Sequence, residues 1–455
     1  MTPMETLVPA DSLDDVYKTL SPLPLTTGPQ LDAFYTNLEG VRGESLVDRL
    51  KLDLIRAHGG LHFKAFLMGH QGVGKSTELR RLEREMQSKY KIVRINAVRD
   101  FNPGNIKPYD ILLVMLMSLA GHPEIRQPSG ELIDEIWRWF AAEQTITTRR
   151  TAQTASAEAG IGVEAGSLWA SLLKVFGRLK GEIQIAAERK TEIVEYRLSK
   201  LSDLLSLLNR FFEESTAAMK QQGHEWLFIG EDFDRLLDPG LPHQLFVDYG
   251  NMFAELNIHF IFTIPVSLGY SAHGRLRFPV RLIPDTPVYT SMHEPHQEGR
   301  RAVREVLKRR MSDGLFEPGQ KERLIVASGG RLRTLFDLVR DAADRALLAK
   351  PARARISEAD ADAAVNQLRL RYTRRLGDSL TGTEDLTWED KARKLLDVYG
   401  RDAEASAPDA VCHALLGAGA IQEFNGAGRY GVHPIVVDIL KLQGKLSSDA
   451  PGGTS

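Results

Sequence analysis

The sequence is short of the residues and segments that mark several classes of protein. Cys412 is the only cysteine among 455 residues, so no disulfide forms within the chain and a cysteine-rich zinc site is excluded. A single cysteine also fits a reducing compartment, and we expect the protein in the cytoplasm. No run of about 18 apolar residues occurs, and no basic segment followed by an apolar run opens the chain. The sequence therefore predicts neither a transmembrane helix nor a secretory signal.

The chain also lacks an excess of charge of either sign. Its formal net charge is −2, from 58 basic and 60 acidic residues, so the whole-chain charge does not indicate nucleic acid or a membrane surface as a partner. The histidines show no metal-ligand spacing, and we interpret His433, in "GVHP", as structural. With 43% apolar and 26% charged residues, the composition is typical of a globular protein, here long enough for two to four domains.

A glycine-rich motif, "GHQGVGKST", supplies the strongest positive signal. The apolar segment 62–68 before it predicts a buried strand, and the charged amphipathic segment after it predicts a helix. A strand, a glycine-rich turn and a helix N-terminus together point backbone N–H groups at a phosphate. Lys75 would reach the β- and γ-phosphates, and the Ser76 hydroxyl would ligate Mg²⁺. The predicted nucleotide-binding residues are Gly69, His70, Gln71, Gly72, Val73, Gly74, Lys75, Ser76 and Thr77.

A second predicted strand ends in acidic residues, in "EWLFIGEDFDRLLDP" at 225–239. A phosphate loop needs such groups to hold magnesium and to orient water. Glu231, Asp232 and Asp234 follow the apolar run together. Glu231 aligns best with the magnesium-side acid and Asp232 with the acid that polarises water, and this assignment can slip by one residue. Thr263 ends the next apolar strand, 257–265. Its hydroxyl would contact the γ-phosphate or the water, or else satisfy its own backbone.

The remaining pattern divides the chain into consecutive segments. A helix, a Gly-Gly turn and a second helix cover 321–349, and Ser357 is the expected N-cap of a helix over 356–376. An Asn-Gly turn joins two short strands near the end of the chain. The predicted segments are an irregular lead-in (1–30), the first part of a P-loop core (31–145), a helical insertion (146–215), the second part of the core (216–290), a helical lid (291–376), a winged-helix-like domain (387–443) and a disordered tail (444–455).

In the order of these parts the chain resembles the AAA+ and STAND branches of P-loop ATPases, especially the bacterial and archaeal groups near the origin-recognition and signalling ATPases. The resemblance covers about 40–443, with 146–215 outside it. It implies an α/β fold in which a five-stranded parallel sheet, with the phosphate-loop strand central, is followed by a helical lid and a C-terminal winged-helix-like domain. It also implies ATP and Mg²⁺ as ligands, and the lack of an Asn-Lys-x-Asp guanine motif favours adenine.

The resemblance carries further residues onto this sequence. Arg333, after the Gly-Gly turn, matches a lid arginine that contacts the γ-phosphate, with Arg331 as the neighbouring alternative. Val41 and Arg42 lie where such proteins contact adenine. The family also uses an arginine from an adjacent subunit, and here three candidates stand equally: Arg275, Arg277 and Arg281.

These features predict an ATPase whose output is conformational, and three interpretations compete. The first is a signalling ATPase that forms a homo-oligomer or recruits a separate effector protein, in bacterial defence or stress. The second is a DNA-associated ATPase, supported by the basic run 300–310 and by arginines of the predicted helix over 356–376. The third is a nucleotide-binding scaffold without hydrolysis, against which the acidic cluster argues. For the amphipathic segment "SLWASLLKVFGRLKG" we favour packing inside the insertion over a membrane surface. The arginines cited for DNA are Arg369, Arg371, Arg374 and Arg375.

Overall fold

A five-stranded parallel sheet lies at the centre of the computed structural model, which describes residues 7–148, 165–185, 191–290, 293–377, 386–400, 409–424 and 429–454. Its strands are β1 (Lys64–Met68), β2 (Tyr90–Asn96), β3 (Glu225–Glu231), β4 (His259–Thr263) and β5 (Val280–Leu282). Their order in the sheet is β2-β3-β4-β1-β5. The predicted α/β fold with five parallel strands is confirmed. One detail of the prediction was wrong: β4 is the middle strand, because only β5 lies beyond β1.

The register of the sheet determines which strand ends meet. Asn96 pairs with Glu231 across β2 and β3, and Leu67 pairs with Thr263 across β1 and β4. Every residue of β3 and β4 is buried, as expected for parallel strands covered on both faces. Since parallel strands end on the same edge, the loop after β1, the acids after β3 and Thr263 share the carboxyl edge of the sheet, where ligands of open α/β sheets bind.

Helices cover the sheet and form the rest of the molecule. Before β3 they are α1 (Leu13–Thr19), α2 (Gly28–Phe34), α3 (Glu39–Arg42), α4 (Leu46–Ala57), α5 (Lys75–Met86), α6 (Pro108–Ala120), α7 (Gly130–Thr148), α8 (Ala165–Ile185), α9 (Thr191–Ser199) and α10 (Leu201–Lys220). After β3 they are α11 (Leu241–His243), α12 (Gly250–Ala254), α13 (Val266–Ser271), α14 (Gln297–Lys308), α15 (Gln320–Ala327), α16 (Leu332–Leu348), α17 (Glu358–Leu376), α18 (Trp388–Gly400), α19 (Ala410–Ala418) and α20 (Pro434–Leu442). A hairpin of β6 (Ile421–Phe424) and β7 (Arg429–Val432) precedes α20.

The N-terminal lead-in is more regular than its composition predicts. Ser12 caps α1 by accepting a hydrogen bond from Asp15 N at 3.3 Å, and Leu13 and Val16 bury their side chains among those of the lid helices. Thr27 and Gln30 form a capping box at the start of α2. The local cap signals therefore outweigh the Pro- and Thr-rich composition on which the prediction of an irregular segment depended.

The described part of the predicted insertion 146–215 packs into the main core. Leu172, Phe176 and Leu179 lie four and three residues apart on α8, so they share one face, and that face is buried in the same cluster as α6 and the sheet. This arrangement fits packing within the protein better than a membrane-surface helix. No helix among the described residues has the length and apolar character needed to cross a bilayer. Residues 149–164 and 186–190 of this prediction lie outside the described residues.

The lid helices and the C-terminal helices share a second core. Side chains of α14 to α17 form one buried cluster with those of α18 to α20 and the hairpin. The C-terminal region therefore packs directly against the lid. Ser357 caps α17 as predicted, in a capping box with Asp360. Most of the segment between the predicted lid and the predicted winged-helix-like domain lies outside the described residues, at 378–385, and the predicted Asn-Gly turn falls on 425–428, also outside them.

The segment predicted as a disordered tail departs from that prediction as far as Thr454. Tyr289 donates its hydroxyl to Gly453 O at 2.6 Å, and Tyr399 donates to Pro451 O at 2.8 Å. The Thr454 side chain is buried and bonds to Asp438. The composition of this segment has too few apolar groups to predict an ordered structure. In the structure, the hydroxyls of Tyr289 and Tyr399 and the carboxylate of Asp438 form hydrogen bonds with its backbone instead.

His433, which begins the turn into α20, makes the stability of the protein sensitive to mild acid. Its Nδ1 accepts from Ile435 N, and its Nε2 donates to Ser328 O, both at 3.3 Å. Burial, helped by the charge of Arg331, lowers the pKa of His433 to about 3. The folded protein keeps this ring neutral, whereas the unfolded chain takes up a proton below about pH 6.5. Stability is therefore lost as the pH falls from about 6.5 towards 3.

His433→Asn tests this linkage, because asparagine keeps an N-cap acceptor and does not titrate. Between pH 7.5 and 4.5 we expect the unaltered protein to lose about 2–3 kcal/mol more of its free energy of unfolding than the variant loses. Urea unfolding at a series of pH values measures both. Parallel pH profiles for the two proteins would contradict the role of His433.

Candidate functional site

The loop between β1 and α5 leaves the N-terminus of a helix open. Gly74 has φ 110°, in the left-handed region that favours glycine, and it turns the chain into α5 without a side-chain cap. The first N–H groups of α5 therefore have no side-chain acceptor and carry the positive end of the helix dipole. Gly72 has φ 85°, and a Cβ there would lie 2.4 Å from Arg333 Cβ, so this glycine also permits the lid to touch the loop.

Lys75 folds back over the loop instead of pointing to solvent. Its Nζ donates to Gly69 O at 2.6 Å and to His70 O at 3.1 Å, and it lies 3.0 Å from Asp234 Oδ2. Both side chains of this ion pair are buried. An ammonium group held by two carbonyls and one carboxylate is positioned to exchange those contacts for phosphate oxygens.

The three acids after β3 have different partners. Glu231 is bound to Arg94 Nη1 at 2.6 Å. Asp232 accepts from Asn96 Nδ2 at 2.8 Å. Asp232 also has φ 61°, a left-handed conformation that starts a 3₁₀ turn and directs Asp234 back to Lys75. The sequence predicted roles for Glu231 and Asp232 and none for Asp234. The missed signal is the buried Phe233 between two acids, which places its neighbours on the opposite side of the turn.

Thr263, at the end of β4, has a polar atom with nothing to bond. Its Oγ1 is buried and has no hydrogen-bond partner among the described residues, so the alternative in which the hydroxyl satisfies its own backbone is not what the structure has. Buried polar atoms normally find partners, and an orphan facing a cavity indicates a ligand or water that completes it.

The two lid arginines after the Gly-Gly turn lie in different places. Arg333 donates its backbone N–H to Gly72 O at 3.2 Å, and its side chain lines the cavity beside the loop. Burial lowers its pKa. Arg331 lies outside the cavity, where it is buried and paired with Asp285 at 2.9 Å. Of the two candidates, Arg333 is the one next to the loop.

Asp285, after β5, is the centre of a buried polar network that joins three regions. His70 of the loop, Arg331 of the lid and Gln422 of β6 all contact its Oδ2, at 3.0, 2.9 and 2.6 Å. Burial raises the pKa of Asp285, but Arg331 and His70 more than offset that effect and hold it well below its usual range. The other ring nitrogen of His70 lies 2.9 Å from Leu416 O. The loop is therefore connected to the C-terminal region.

A cavity of about 300 Å³ brings the central residues together. Its polar lining includes Gly72 to Thr77 with the acids, Asn96, Thr263 and Arg333. Of the two residues predicted near adenine, Arg42 lines the cavity and donates to Val73 O at 3.0 Å, whereas Val41 packs into the lid core. Residues 21–25, here called the N-terminal strap, also line the cavity, and the Pro-rich "SPLPL" is the signal that an extended segment passes there. Among the predicted loop residues, Gly69, His70 and Gln71 do not line the cavity.

The remaining predicted residues lie elsewhere. Arg277 donates to Asn251 Oδ1 at 2.7 Å, Arg281 pairs with Asp53 at 2.9 Å, and Arg275 is exposed. None of the three lines the cavity. Among the described residues no group of three or more His, Cys, Asp or Glu side chains is arranged around a metal. One or two carboxylates with a hydroxyl, however, are what Mg²⁺ needs when substrate phosphates and waters fill its other positions.

Comparisons with known proteins find matches among solved structures. No family model and no curated protein matches the chain. Among solved structures, the Orc1 protein of Aeropyrum pernix, in complex with DNA, is 14% identical over 97% of this chain and 98% of its own, with a TM-score of 0.39. A Walker-type ATPase of Pyrococcus abyssi is 16% identical over 93% and 99%, with a TM-score of 0.36. Such scores carry no argument about family, so what the protein does must be inferred from its own site.

Proposed function

We propose that the chain is a Mg²⁺-dependent ATPase of the AAA+/STAND type, in which the bound nucleotide determines how the loop, lid and C-terminal region sit together. The observation that carries this proposal is the single cavity lined by the open N-terminus of α5, Lys75, Asp234, Thr263 and Arg333. An amide cradle, a cation, carboxylates and an unsatisfied hydroxyl in one cavity are the components that phosphoryl transfer requires.

Each group has a distinct task in this proposal. The amides of α5 and the Lys75 ammonium bind the phosphates, and Lys75 leaves Asp234 when it does so. Ser76 and the acids after β3 would hold Mg²⁺, which when bound neutralises charge on the transferring phosphoryl group. The Thr263 hydroxyl is available to the γ-phosphate or the attacking water.

The different contacts of the three acids indicate which of them are available to bind the metal and to orient water. Glu231, the acid favoured by alignment for magnesium, is held by Arg94. All three acids line the cavity, but the Glu231–Arg94 pair is largely buried, whereas Asp232 pairs with the more exposed Arg235 at 3.1 Å, and Asp234 would be released when Lys75 moves to phosphate. We therefore assign the metal and water roles to Asp232 and Asp234, with Glu231 as the residue that orients Arg94 against the sheet.

The proposed output depends on Arg333. Its backbone N–H is bonded to Gly72 O, it lines the cavity, and its Nε donates to Pro22 O at 3.4 Å. These contacts support a position of the guanidinium within reach of a third phosphate. ATP offers a γ-phosphate to that guanidinium and ADP does not, which gives the lid a different affinity for the loop in the two states. The change would expose a surface for a second copy or for an effector protein, as a defence or stress-signalling ATPase requires.

The DNA-associated alternative has less support from the described residues, because several of its arginines are buried or paired. Arg300 and Arg304 both pair with Glu322, and Arg369 pairs with Asp438. Arg310 is buried. The helix in the position of a recognition helix, α19, contains no Lys or Arg to meet a phosphate or a base edge. Arg371, Arg374 and Arg375 of α17 stay exposed, as do Arg301, Lys308 and Arg309 of the basic run, so a DNA contact would depend on these residues.

Turnover measurements test the enzyme proposal. In Asp232→Asn and in Asp234→Asn we expect the rate of ATP hydrolysis to fall by about 100-fold, because each removes a charge that stabilises the reacting groups. Chelation of Mg²⁺ should abolish turnover. The rate of phosphate release under saturating ATP measures turnover in each variant and after chelation, and nucleotide affinity is measured separately.

Asp238→Asn is the matched control, because Asp238 is an exposed acid of the same loop that bonds only Gly240 N in the contacts described. It should turn over ATP at the rate of the unaltered protein. If the unaltered protein binds ATP yet releases no phosphate with Mg²⁺ present, the ATPase proposal is wrong and the interpretation as a nucleotide-binding scaffold replaces it.

A further inference from the structure

Arg310, just after α14, is a buried cation without an acidic partner. It is 5% exposed, and no carboxylate among the described residues lies within ion-pair distance of it. Its Nη1 donates to Val306 O at 2.9 Å. Its guanidinium carbon lies 5.2 Å from the ring centre of Phe34 and 5.0 Å from that of Phe336. All four residues line the cavity.

The comparison with Arg331 shows what Arg310 lacks. Both arginines are buried, but Arg331 has Asp285 and the Tyr372 hydroxyl as partners. Burial, with the repulsion of the neighbouring Arg309, lowers the pKa of Arg310 to about 9. Two aromatic faces offset only part of the cost of burying a charge. Since Arg310 faces the cavity, the missing acceptor is one that arrives with the ligand.

The position of Arg310 indicates which part of the ligand brings that acceptor. The phosphate groups belong with Lys75 and the start of α5, which are not among the described contacts of Arg310. The surroundings of Arg310 are the apolar side chains Phe34, Val306 and Phe336, which suit a flat base. A guanidinium donates and never accepts. N7 is the acceptor that adenine and guanine both present on the edge away from the ribose, and guanine adds O6 beside it.

We propose, building on the nucleotide-binding function proposed above, that Arg310 is the base-recognition residue of this site and donates a hydrogen bond to N7 of a purine. Arg310 then determines specificity for purines over pyrimidines. It accepts GTP at least as well as ATP, because the guanine edge offers it a second acceptor. The absence of an Asn-Lys-x-Asp motif therefore does not restrict the site to adenine.

Nucleotide analogues test this without altering the protein. In calorimetric titrations of the full chain with Mg²⁺, we expect ATP to bind about tenfold or more tightly than 7-deaza-ATP, which has carbon in place of N7 and leaves the guanidinium unpaired. Inorganic tripolyphosphate has no base, so its affinity measures only the binding of the phosphate groups. Equal affinity of the unaltered protein for ATP and 7-deaza-ATP would overturn the proposal.

A pair of variants separates Arg310 from its surroundings. Arg310→Met should bind ATP and 7-deaza-ATP equally, at the weaker affinity, with tripolyphosphate binding unchanged. Arg309→Met removes an exposed neighbour and should keep the preference of the unaltered protein. A preference retained in Arg310→Met overturns the assignment. If the unaltered protein binds none of ATP, GTP and tripolyphosphate, the proposed function fails and this inference fails with it, whereas tight binding without an N7 preference removes the inference alone.

Discussion

Replacing Lys75 with methionine is expected to abolish ATP binding at concentrations that saturate the unaltered protein. Lys75 is a buried cation that lines the cavity beside the phosphate loop, and methionine keeps most of its length while removing the charge and all three donors. Charge-assisted hydrogen bonds in a site shielded from water are the strong ones. We expect at least a 100-fold rise in Kd, equal to about 2.7 kcal/mol or more.

The experiment must separate binding from stability, because Lys75→Met also leaves the Asp234 carboxylate buried without its partner. The double variant Lys75→Met/Asp234→Asn removes that charge, so it should recover stability and still fail to bind ATP. Lys64→Met is the matched control, since Lys64 Nζ donates to Ala254 O away from the cavity. ATP binding by Lys75→Met within a few-fold of the unaltered protein would contradict the assignment of Lys75 to phosphate binding.

Light scattering extends the same comparison to the proposed switch. We expect the mass of the unaltered protein, or of its complex with an effector, to differ between ATP and ADP. Lys75→Met should show one mass under both conditions, because neither nucleotide is bound. A nucleotide-dependent mass in Lys75→Met would mean that assembly is governed by a different site.

Asp285→Asn is expected to lower the free energy of unfolding by about 3–5 kcal/mol. The carboxylate is fully buried and bonds to His70, Arg331 and Gln422. Asparagine keeps the shape of the side chain and removes its charge, which leaves the Arg331 guanidinium buried with no carboxylate. Breaking a buried pair from one side costs much more than an exposed pair contributes.

Urea unfolding measures this loss of unfolding free energy. Two further variants show whether it comes from the buried charges. Asp313→Asn breaks an exposed pair with Lys321 at 2.9 Å and should cost less than about 1 kcal/mol. Asp285→Leu/Arg331→Met removes both buried charges and should regain much of the stability. A loss in Asp285→Asn no larger than that in Asp313→Asn would show that the network does not hold the loop, lid and C-terminal region together.

The features predicted well from the sequence depend on neighbours along the chain. The phosphate loop follows from glycines that reverse the chain between an apolar strand and a charged helix. The cap on α17 follows from Ser357 and Asp360, three residues apart. Strands β1, β3 and β4 follow from apolar runs within segments of five to seven residues. Each signal is complete within a few residues, so no tertiary information is needed to recognise it.

The features that were missed are pairings between distant segments. Asp234 was passed over because its partner, Lys75, is 159 positions away, and alignment favoured the first two acids of the cluster. In the sequence Arg310 is one of several basic residues in a predicted helix. In the structure it lines the cavity, and the two rings that pack on it, Phe34 and Phe336, come from other helices. The N-terminal strap gave a composition typical of an irregular segment and forms a wall of the site.

The sequence by itself determined the path of the backbone around a phosphate and the residue types available there. Only the tertiary structure decided which acid meets Lys75, which lid arginine enters the cavity and which cation is left without a carboxylate. The physical reason is range: backbone conformation depends on sterics and hydrogen bonds within a few residues. The environment of a charged group depends on every segment packed around it.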